Sequence, residues 1–266
     1  MIDVALPYLR CPVCADPVAR AGERTLRCPR GHSFDIARQG YASLTRRGTP
    51  HEGDSAAMID DRAAFLAAGH YDFIAEALTA ALPPAGLTLD AGTGTGFYLA
   101  RALDARPGAV GLGLDVSKPA LRRAARAHPR AAAVRADLWQ PFPVADAAAE
   151  VILDVFAPRN GAEFRRVLRP GGTLLVVTPA ADHLHELVEA FDLIRVDPDK
   201  ADRVADNLTP HFTAGRTTTH RRTLSLTGAE LRTLIGMTPS ARHLPLDDLP
   251  SDSVRVTAVI DLTEWR

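Results

Sequence analysis

The pattern of apolar and polar positions divides most of the chain into short strands that alternate with amphipathic helices. Runs of apolar and β-branched residues bounded by polar or glycine-rich turns predict strands. Seven such runs lie at residues 87–90, 110–114, 132–136, 151–156, 173–178, 217–226 and 254–262. Helical spacing occupies most of the intervals between them. This alternation predicts an α/β fold built on one sheet.

The first of these strands ends in an acid and a loop with a glycine at every second position. Asp90 is followed by Gly92, Gly94 and Gly96, and the next residues have helical spacing. A strand, a glycine turn and a helix N-terminus are typical of a nucleotide-type site, although a lone glycine loop can be only a turn. In the dinucleotide fingerprint the third glycine stands where this chain has Phe97, so NAD fits poorly.

Two later strands also end in acids. The second strand ends in Asp115, where a carboxylate can accept hydrogen bonds from a ribose diol. The third ends in Asp137, which can accept from an adenine amino group, and in Leu138, which can cover the ring. A single Asp is more often a helix cap or a loop acid, but acids at three successive strand ends favour a cofactor pocket. The acid and glycine spacing resembles that of Rossmann-like S-adenosylmethionine-dependent methyltransferases.

Two helices are predicted before the first strand. Asp54 and Ser55 can cap a helix that runs to residue 68, where Gly69 can stop it. The second helix covers residues 70–82. The pair could form a lid over the cofactor, and Tyr71 within it is interpreted from the residues alone as a core aromatic.

All three cysteines lie in the first thirty residues. Cys11 and Cys14 are separated by two residues, and Cys28 and His32 by three. This spacing is typical of a tetrahedral zinc site, because each short pair can turn both ligands toward one ion. A disulfide with a spare thiol, or a redox pair, is the alternative, but a cytosolic chain disfavours the disulfide and His32 is then unexplained. Four protein ligands leave no open position, so the zinc is expected to be structural.

Composition limits the class of protein. A chain of 266 residues with 46% hydrophobic content can bury one full core and a small second module, which excludes collagen-like and disordered classes. Neither a bilayer-spanning run nor a signal peptide is predicted, so we expect a soluble cytoplasmic protein. A polar linker at residues 46–53 predicts a zinc module at residues 1–50 and an α/β domain at residues 54–266.

Charge is unevenly distributed along the chain. The formal net charge is −1, but before residue 50 there are eight arginines against four acids. This local excess favours contact between the zinc module and a polyanion. A second arginine cluster on the α/β domain is interpreted as a solvated helix face. The expected contacts are Arg27, Arg30, Arg46 and Arg47, and the solvated cluster is Arg122, Arg123 and Arg126.

The motifs in combination resemble one family. The zinc ligands are followed by Phe34-Asp35, Gly40-Tyr41, Asp54-Ser55-Ala-Ala-Met58 and Phe65-Leu66-Ala-Ala-Gly69-His70-Tyr71. Later motifs are Leu114-Asp115-Val-Ser117-Lys118, Phe156-Ala157-Pro158, Arg169-Pro170-Gly171-Gly172, Thr178-Pro179 and His183-Leu184. From the zinc ligands to about residue 239, the chain resembles the 23S rRNA guanine-N1 methyltransferases, which include enzymes that confer resistance to tylosin-type macrolides.

The resemblance implies a Rossmann-like class I methyltransferase with a seven-stranded sheet whose last strand is antiparallel. It also implies an N-terminal zinc ribbon that helps hold a 23S rRNA hairpin, and usually a homodimer. Carried over by motif, the zinc ligands are Cys11, Cys14, Cys28 and His32. The implied contacts of S-adenosylmethionine include Tyr71 and His183, the second of which is interpreted from the residues alone as a surface histidine. The full predicted cofactor set is Tyr71, Asp90, Gly92, Gly94, Thr95, Asp115, Asp137, Leu138 and His183.

The implied reaction is methyl transfer to N1 of a guanine. N1 carries a proton at neutral pH and lies on the pairing edge, so the base must be unpaired or flipped out and must lose that proton. Asp54, Asp154 and solvent remain open as acceptors, and no catalytic residue is assigned. The alternatives are a small-molecule methyltransferase, which would not need an arginine-rich ribbon, and a non-catalytic RNA- or ribosome-binding protein. Cofactor binding without methyl transfer would favour the second.

Overall fold

The computed structural model of the chain describes residues 2–46, 51, 53–84, 86–191, 205–238 and 249–266. Most of the predicted linker, Arg47 included, lies outside them. The helices are η1 (Ile2–Tyr8), α1 (Ala56–Ala67), α2 (Asp72–Ala81), α3 (Phe97–Asp104), α4 (Lys118–Ala124), α5 (Gly161–Val167), α6 (His185–Phe191) and α7 (Gly228–Gly236). In this part of the chain no helix is both long enough and apolar enough to cross a membrane.

The strands form two sheets. The strands are β1 (Ala19–Gly22), β2 (Thr25–Arg27), β3 (Ser33–Asp35), β4 (Ala42–Ser43), β5 (Leu87–Ala91), β6 (Val110–Asp115), β7 (Ala131–Arg135), β8 (Ala149–Val155), β9 (Leu168–Pro179), β10 (Ala214–Leu226) and β11 (Val254–Trp265). A small antiparallel sheet has the order β1-β2-β3, and a large sheet has the order β10-β11-β9-β8-β5-β6-β7-β4. The large sheet contains all seven predicted strands.

The connectivity of the large sheet confirms the predicted fold class. Neighbouring strands from β4 to β9 pair in parallel, and β11 is antiparallel to both of its neighbours. The sheet has eight strands rather than the seven expected, because β4 adds to the edge of β7. The Leu44 N–H donates to the Arg135 carbonyl just beyond this pairing. A two-residue strand has too short a pattern to be predicted, but it covers backbone groups that an open edge would expose.

The central strands are buried on both faces, as parallel strands between helices require. Every residue of β5 is buried. Successive residues of β8 and β9 contribute to opposite apolar clusters: Ile152 and Leu174 to one, Leu153 and Leu175 to the other. The first cluster includes the N-terminal segment and α5, and the second includes α1, α2 and α7. The polar carboxyl ends of the strands therefore meet at one edge, between two layers that exclude water.

Local signals correctly predict both ends of α1 and the start of α7, whereas α2 begins two residues later and ends one residue earlier than the predicted 70–82. The Ser55 hydroxyl accepts a hydrogen bond from the Met58 N–H, and Gly69 follows α1 with a φ of +82°. Thr227 and Glu230 form a reciprocal capping box at the start of α7. Each cap satisfies a backbone group that the first or last turn leaves without an intrahelical partner.

The N-terminal segment packs directly on the large-sheet domain. Leu9 forms an isolated β-bridge with Val144, and the Arg10 N–H donates to the Pro143 carbonyl at 2.9 Å. Leu9 and Leu26 belong to the same apolar cluster as the strand residues. The ribbon is therefore held in a defined position relative to the sheet, while the module boundary near residue 50 stays a prediction.

Candidate functional site

The predicted zinc ligands converge in the structure. One ligand atom from each of Cys11, Cys14, Cys28 and His32 lies within 4.8 Å of the others. The Cys14 and Cys28 Sγ atoms are 3.6 Å apart, and His32 Nδ1 lies 3.3 Å from Cys28 Sγ. A tetrahedral ion with Zn–S bonds of about 2.3 Å separates two sulfurs by roughly 3.8 Å. The donor set and the spacing therefore fit a structural zinc ion.

Two tight turns bring these ligands together. The Ala15 N–H donates to the Cys11 carbonyl in the first turn, and the Gly31 N–H donates to the Cys28 carbonyl in the second. β1 and β2 form the hairpin between the turns. Two cysteines are buried and Cys14 is partly exposed. The chain therefore brings both short pairs to the same point, as the sequence spacing predicts.

The glycine loop lies between the ends of β5 and β8. Gly92 has a φ of +79°, and a Cβ at this position would lie only 2.5 Å from the Ala157 Cβ. The same Cβ would lie 3.7 Å from a Leu138 methyl group. Glycine is therefore required both by the backbone conformation and by the close approach of the loop after β8. Gly92, Leu138 and Ala157 come from three different strand ends and meet here.

Asp115 supports the next turn of the same loop. Its carboxylate accepts the Gly94 N–H and the Ser117 N–H, both at 2.8 Å. Burial raises the pKa of the Asp115 carboxyl, and these two hydrogen bonds oppose the shift. Each carboxylate oxygen has a second lone pair, so both oxygens can still accept from a ligand hydroxyl. Asp115 can therefore shape the glycine loop and bind a ribose at the same time.

Asp90 lies beneath the loop. Its side chain is buried and accepts the Thr93 hydroxyl at 2.7 Å. Burial raises the pKa of the Asp90 carboxyl to about 7, and the hydrogen bond from Thr93 limits the increase. In this position Asp90 stabilises the turn; the predicted direct contact with the cofactor stays a prediction.

Asp137 and Leu138 lie at the end of β7, both buried. One Asp137 oxygen accepts the Trp139 N–H at 3.0 Å, and the other lies 3.0 Å from His51 Nδ1. The Asn160 amide donates to the Leu138 carbonyl, which joins this loop to the one after β8. Asp137 is thus held by its own loop and by His51, and its contact with the adenine stays a prediction. Sequence reasoning did not identify His51, which has no local signal beyond its residue type.

Tyr71 and His183 are neighbours although 112 residues separate them in the chain. The Tyr71 hydroxyl lies 3.4 Å from His183 Nε2, and His183 Nδ1 lies 2.8 Å from the Val259 carbonyl oxygen. The Val259 N–H also lies 3.1 Å from His183 Nδ1. If Nδ1 donates to the carbonyl, Nε2 accepts from the phenol; if Nδ1 accepts from the N–H, Nε2 carries the proton and donates to the Tyr71 oxygen. The Phe156 ring lies 6.4 Å from that of Tyr71 and 6.3 Å from that of His183. The two side chains are therefore in contact, and their shared binding of the cofactor stays a prediction.

Thr95 faces a different part of the molecule from Tyr71 and His183. It lines an open groove of about 380 Å³ between α1, α3 and α4, together with Leu66, Phe97 and Arg123. Among the described residues that line this groove, Thr95 alone belongs to the predicted cofactor set. Thr95 is joined to the acids of the site through the glycine loop.

Arg62 is a further charged group at the loop that sequence reasoning did not identify. Its Nη1 lies 2.6 Å from Asp54 Oδ2, and its Nη2 donates to the Met237 carbonyl at 3.0 Å. A Cβ at Gly94 would lie 3.5 Å from Arg62 Nη1. The guanidinium is therefore placed to pair with a ligand carboxylate above the loop. An arginine in the middle of α1 carries no sequence signal for this position.

The two acids left open as proton acceptors both face arginines. Asp154 is fully buried at the end of β8, with an oxygen 3.4 Å from Arg159 Nε. Asp54 pairs with Arg62 and is about one-third exposed. A buried acid beside a guanidinium is favoured as a carboxylate. The complete burial of Asp154 also keeps it from contact with a guanine bound at the protein surface. Neither arrangement identifies a general base.

Taken together, the site has the features of a pocket for an adenosine-containing cofactor. Asp90 and Asp115, at the ends of β5 and β6, hydrogen-bond to residues of the glycine loop, Asp137 lies just beyond β7, and Arg62 approaches the loop at Gly94. The ends of parallel strands at a topological switch point are where open α/β sheets bind their ligands. The residues present fit S-adenosylmethionine, because the carboxylates of Asp115 and Asp137 can accept hydrogen bonds from hydroxyl and amino groups and the Arg62 guanidinium can pair with a carboxylate.

Family models match two parts of the chain. Residues 9–45 match the N-terminal zinc ribbon of RlmA, and residues 88–172 match a methyltransferase domain. Among solved structures, the YcgJ protein from Bacillus subtilis aligns with a TM-score of 0.51 at 14% identity, over 74% of this chain and 97% of that one. At this identity the match supports the fold alone.

Sequence relatives extend over almost the whole chain. A Micromonospora griseorubida protein provisionally named as a 23S rRNA (guanine-N(1)-)-methyltransferase is 54% identical, covering 98% of both chains. The 23S rRNA (guanine(748)-N(1))-methyltransferase of Streptomyces fradiae is 48% identical, over 96% of this chain and 93% of its own. With a zinc ribbon and a class I methyltransferase fold in one chain, the protein belongs to the family of the 23S rRNA (guanine-N1)-methyltransferases.

Proposed function

We propose that this protein transfers a methyl group from S-adenosylmethionine to N1 of a guanine in a hairpin of 23S rRNA. The observation that carries the proposal is 48% identity, over 96% of the chain, to a relative named for that reaction. The convergent Cys₃His cluster and the acid-lined glycine loop supply the two sites that the proposal needs.

We further propose a division of labour within the chain. Residues 1–50 form the RNA-recognition module, and residues 54–266 form the methyltransferase domain. Zinc bound by Cys11, Cys14, Cys28 and His32 organises the module. The predicted cofactor set, from Tyr71 to His183, binds S-adenosylmethionine, and Asp115 and Asp137 orient its ribose and adenine.

The protein has three tasks in this reaction. It must hold the guanine out of its base pair, align N1 with the methyl carbon and let the N1 proton leave. Bound S-adenosylmethionine supplies a methyl group activated by its sulfonium. Because Asp54 and Asp154 both face arginines, we assign proton removal to solvent and the rate enhancement mainly to positioning.

Mapping methylated bases in rRNA tests this function directly. A methyl group on N1 blocks Watson–Crick pairing, so reverse transcriptase stops one nucleotide before it. We expect a stop in 23S rRNA from cells that express the protein and no stop in cells that lack it. Mass spectrometry of the same fragment should show one added methyl group on a guanine. Position 748 is the first to inspect, because the Streptomyces fradiae relative is named for it.

The two alternative functions give different results in a purified assay. A small-molecule methyltransferase would bind cofactor and leave every rRNA unmethylated and unbound. A non-catalytic RNA-binding protein would bind both the cofactor and the hairpin and transfer no methyl group. Either outcome would replace the proposed function.

Three finer properties follow from the family resemblance and are proposed with it. We infer that the protein is a homodimer, that it acts in the cytoplasm, and that the methylation protects cells from tylosin-type macrolides. Light scattering on the purified chain measures the first property, and fractionation of expressing cells measures the second. Tylosin sensitivity of cells with and without the protein measures the third.

Arg62 provides a specific test of how the cofactor is held. We expect Arg62→Gln to weaken binding of S-adenosylhomocysteine by about 5- to 15-fold, because the partly exposed guanidinium loses a charged hydrogen bond to the carboxylate. Binding of 5′-methylthioadenosine, which has no carboxylate, should change by less than about 2-fold. Equal losses for both ligands would show that Arg62 supports the loop instead of binding the carboxylate. Calorimetric titration measures both affinities.

The charge distribution predicts where RNA phosphates bind. Arg27 and Arg30 are exposed on the zinc module, with partners in Ser33 and Asp16 of the same module. Changing both arginines to glutamine should weaken hairpin binding and reduce the slope of log K against log salt by about 0.7 to 0.9 for each phosphate that the protein no longer neutralises. Cofactor affinity should be unchanged. Filter binding across a salt series measures the slope.

A matched pair on the methyltransferase domain is the control. Arg122 and Arg126 are also exposed, and changing both to glutamine removes the same charge. We expect this pair to leave the slope unchanged. If the slope falls in this control and stays constant in the zinc-module variant, the RNA binds on the other domain. Arg46 is less suitable, because its guanidinium donates to the Pro12 carbonyl beside the zinc ligands.

A further inference from the structure

Phe156 is one of three large apolar side chains that the described part of the chain exposes to solvent. The other two are Val13 in the first zinc turn and Trp139 after β7. Phe156 is 39% exposed and directly follows β8, whose neighbours in the sheet are β5 and β9. Its own neighbour Ala157 contacts the glycine loop at Gly92. An exposed aromatic ring therefore lies at the edge of the candidate cofactor site.

The residue that carries this ring has an unfavourable backbone conformation. Phe156 has a φ of +55°, and Leu184 has a φ of +54°. Such angles cost of order 1–3 kcal/mol for residues other than glycine and persist only where the surroundings impose them. The Phe156 N–H donates to the Val177 carbonyl, and the Leu184 N–H donates to the Thr257 carbonyl at 2.8 Å. Both residues are thus held by backbone hydrogen bonds to strands of the large sheet.

Both strained positions lie beside the rings of Tyr71 and His183. Phe156 lies next to Tyr71 and His183, and Leu184 follows His183 directly. Tyr71 is buried, so within this group Phe156 is the aromatic ring that solvent reaches most. In the described part of the chain, two of the four non-glycine residues with positive φ thus lie beside one exposed ring. Backbone strain of this kind is often found at ligand-binding positions.

We propose that Phe156 is the platform on which the target guanine stacks. The inference rests on the proposed function and adds the residue that receives the flipped base. A base taken out of a helix loses its stacking partners, and an aromatic side chain replaces them. Stacking uses the face of the guanine and leaves its pairing edge, with N1, free to point toward the cofactor. Phe156 is a positioning residue that makes no bond in the reaction.

Trp139 is the competing aromatic. It is more exposed than Phe156, but it lies beside His51 and Asp137, where the adenine is expected to bind. The Trp139 ring lies 6.5 Å from that of His51, whereas the Phe156 ring lies 6.4 Å from Tyr71 and 6.3 Å from His183. Stacking on Phe156 places the base by the loop after β8, where Ala157 approaches the glycine loop at Gly92.

Turnover of the rRNA hairpin by full-length variants tests the proposal. We expect Phe156→Ala to lower kcat/KM by about 5- to 150-fold, the equivalent of 1–3 kcal/mol for one stacked base. Phe156→Tyr should stay within about 3-fold of the unsubstituted protein, and Phe156→Leu, which keeps apolar area without an aromatic face, should resemble the alanine variant. Calorimetric binding of S-adenosylhomocysteine should change by less than about 2-fold in all three.

Several results would overturn the assignment. Loss of S-adenosylhomocysteine affinity as large as the loss of turnover would make Phe156 a cofactor contact. Full turnover in Phe156→Ala, or a greater loss in Trp139→Ala than in Phe156→Ala, would place the base elsewhere. If the unsubstituted protein methylates no rRNA, the proposed function fails and the proposal for Phe156 fails with it. If only the Phe156 variants behave unexpectedly, the proposed function stands.

Discussion

Replacing Cys28 with serine is expected to release the zinc ion and abolish specific binding of the rRNA hairpin. Cys28 is buried, and its Sγ lies 3.6 Å from Cys14 Sγ and 3.3 Å from His32 Nδ1. Loss of a direct ligand should lower zinc affinity by more than about 100-fold, because changes in the surrounding shell alone cost 10–100-fold. In small zinc modules most of the folding free energy comes from the metal.

Three measurements separate the loss of metal, the loss of RNA binding and any loss of cofactor binding in this variant. Metal content by atomic emission should fall from about one zinc per chain to near zero. Hairpin binding and methylation should disappear with it, whereas affinity for S-adenosylhomocysteine should fall by much less, because the cofactor site is built from other strand ends. Ser33→Ala, on the adjacent strand and outside the ligand set, is the control that should keep the metal. Full metal content in Cys28→Ser would show that the ligand set is wrong.

Cys28→Ser is also expected to lower the stability of the whole chain. The ribbon shares an apolar cluster with the sheet, and Leu9 bridges to Val144. Unfolding of the ribbon therefore exposes apolar surface on the methyltransferase domain as well. A lower melting temperature with retained cofactor binding would agree with a ribbon that folds on the domain. A lower melting temperature together with loss of cofactor binding would show that the large sheet depends on the ribbon.

The fold could be predicted because its signals are local. Strands such as β5 are continuous apolar runs that end in an acid and a glycine, and the capping box of Thr227 and Glu230 can be read from four residues. The zinc ligands likewise come as two short pairs whose geometry follows from spacing. The pattern of β4 is only two residues long, and this strand forms because β7 offers it an edge.

The site was less predictable because much of it depends on tertiary contacts. Tyr71 and His183 have no local signal for their contact, and only the family resemblance singled them out. Arg62, His51 and Phe156 reach the site from a helix face, a polar segment and a strained turn. Arginine and histidine are common at the surface, and phenylalanine is usually a core residue. Exposure, distance and backbone angle in the folded chain are therefore what distinguish these three positions.

Asp115 is where the second large effect is expected. We predict that Asp115→Ala weakens binding of S-adenosylmethionine by about 10- to 150-fold, which corresponds to roughly 1.5–3 kcal/mol for hydrogen bonds to a charged group. The carboxylate is nearly buried, holds the Gly94 and Ser117 N–H groups, and is placed to accept the ribose hydroxyls. Its loss therefore removes a ligand contact and leaves two backbone donors without their acceptor.

Isothermal titration of the purified variants with S-adenosylmethionine tests this prediction. Glu76→Ala, which removes an exposed carboxylate on α2, is the control and should change the dissociation constant by less than about 2-fold. Asp115→Asn keeps one oxygen acceptor and should fall between the alanine variant and the unsubstituted chain. Unchanged affinity in Asp115→Ala would remove Asp115 from the cofactor site. Because Asp137 was assigned by the same reasoning from strand ends, its proposed contact with adenine would then need independent support.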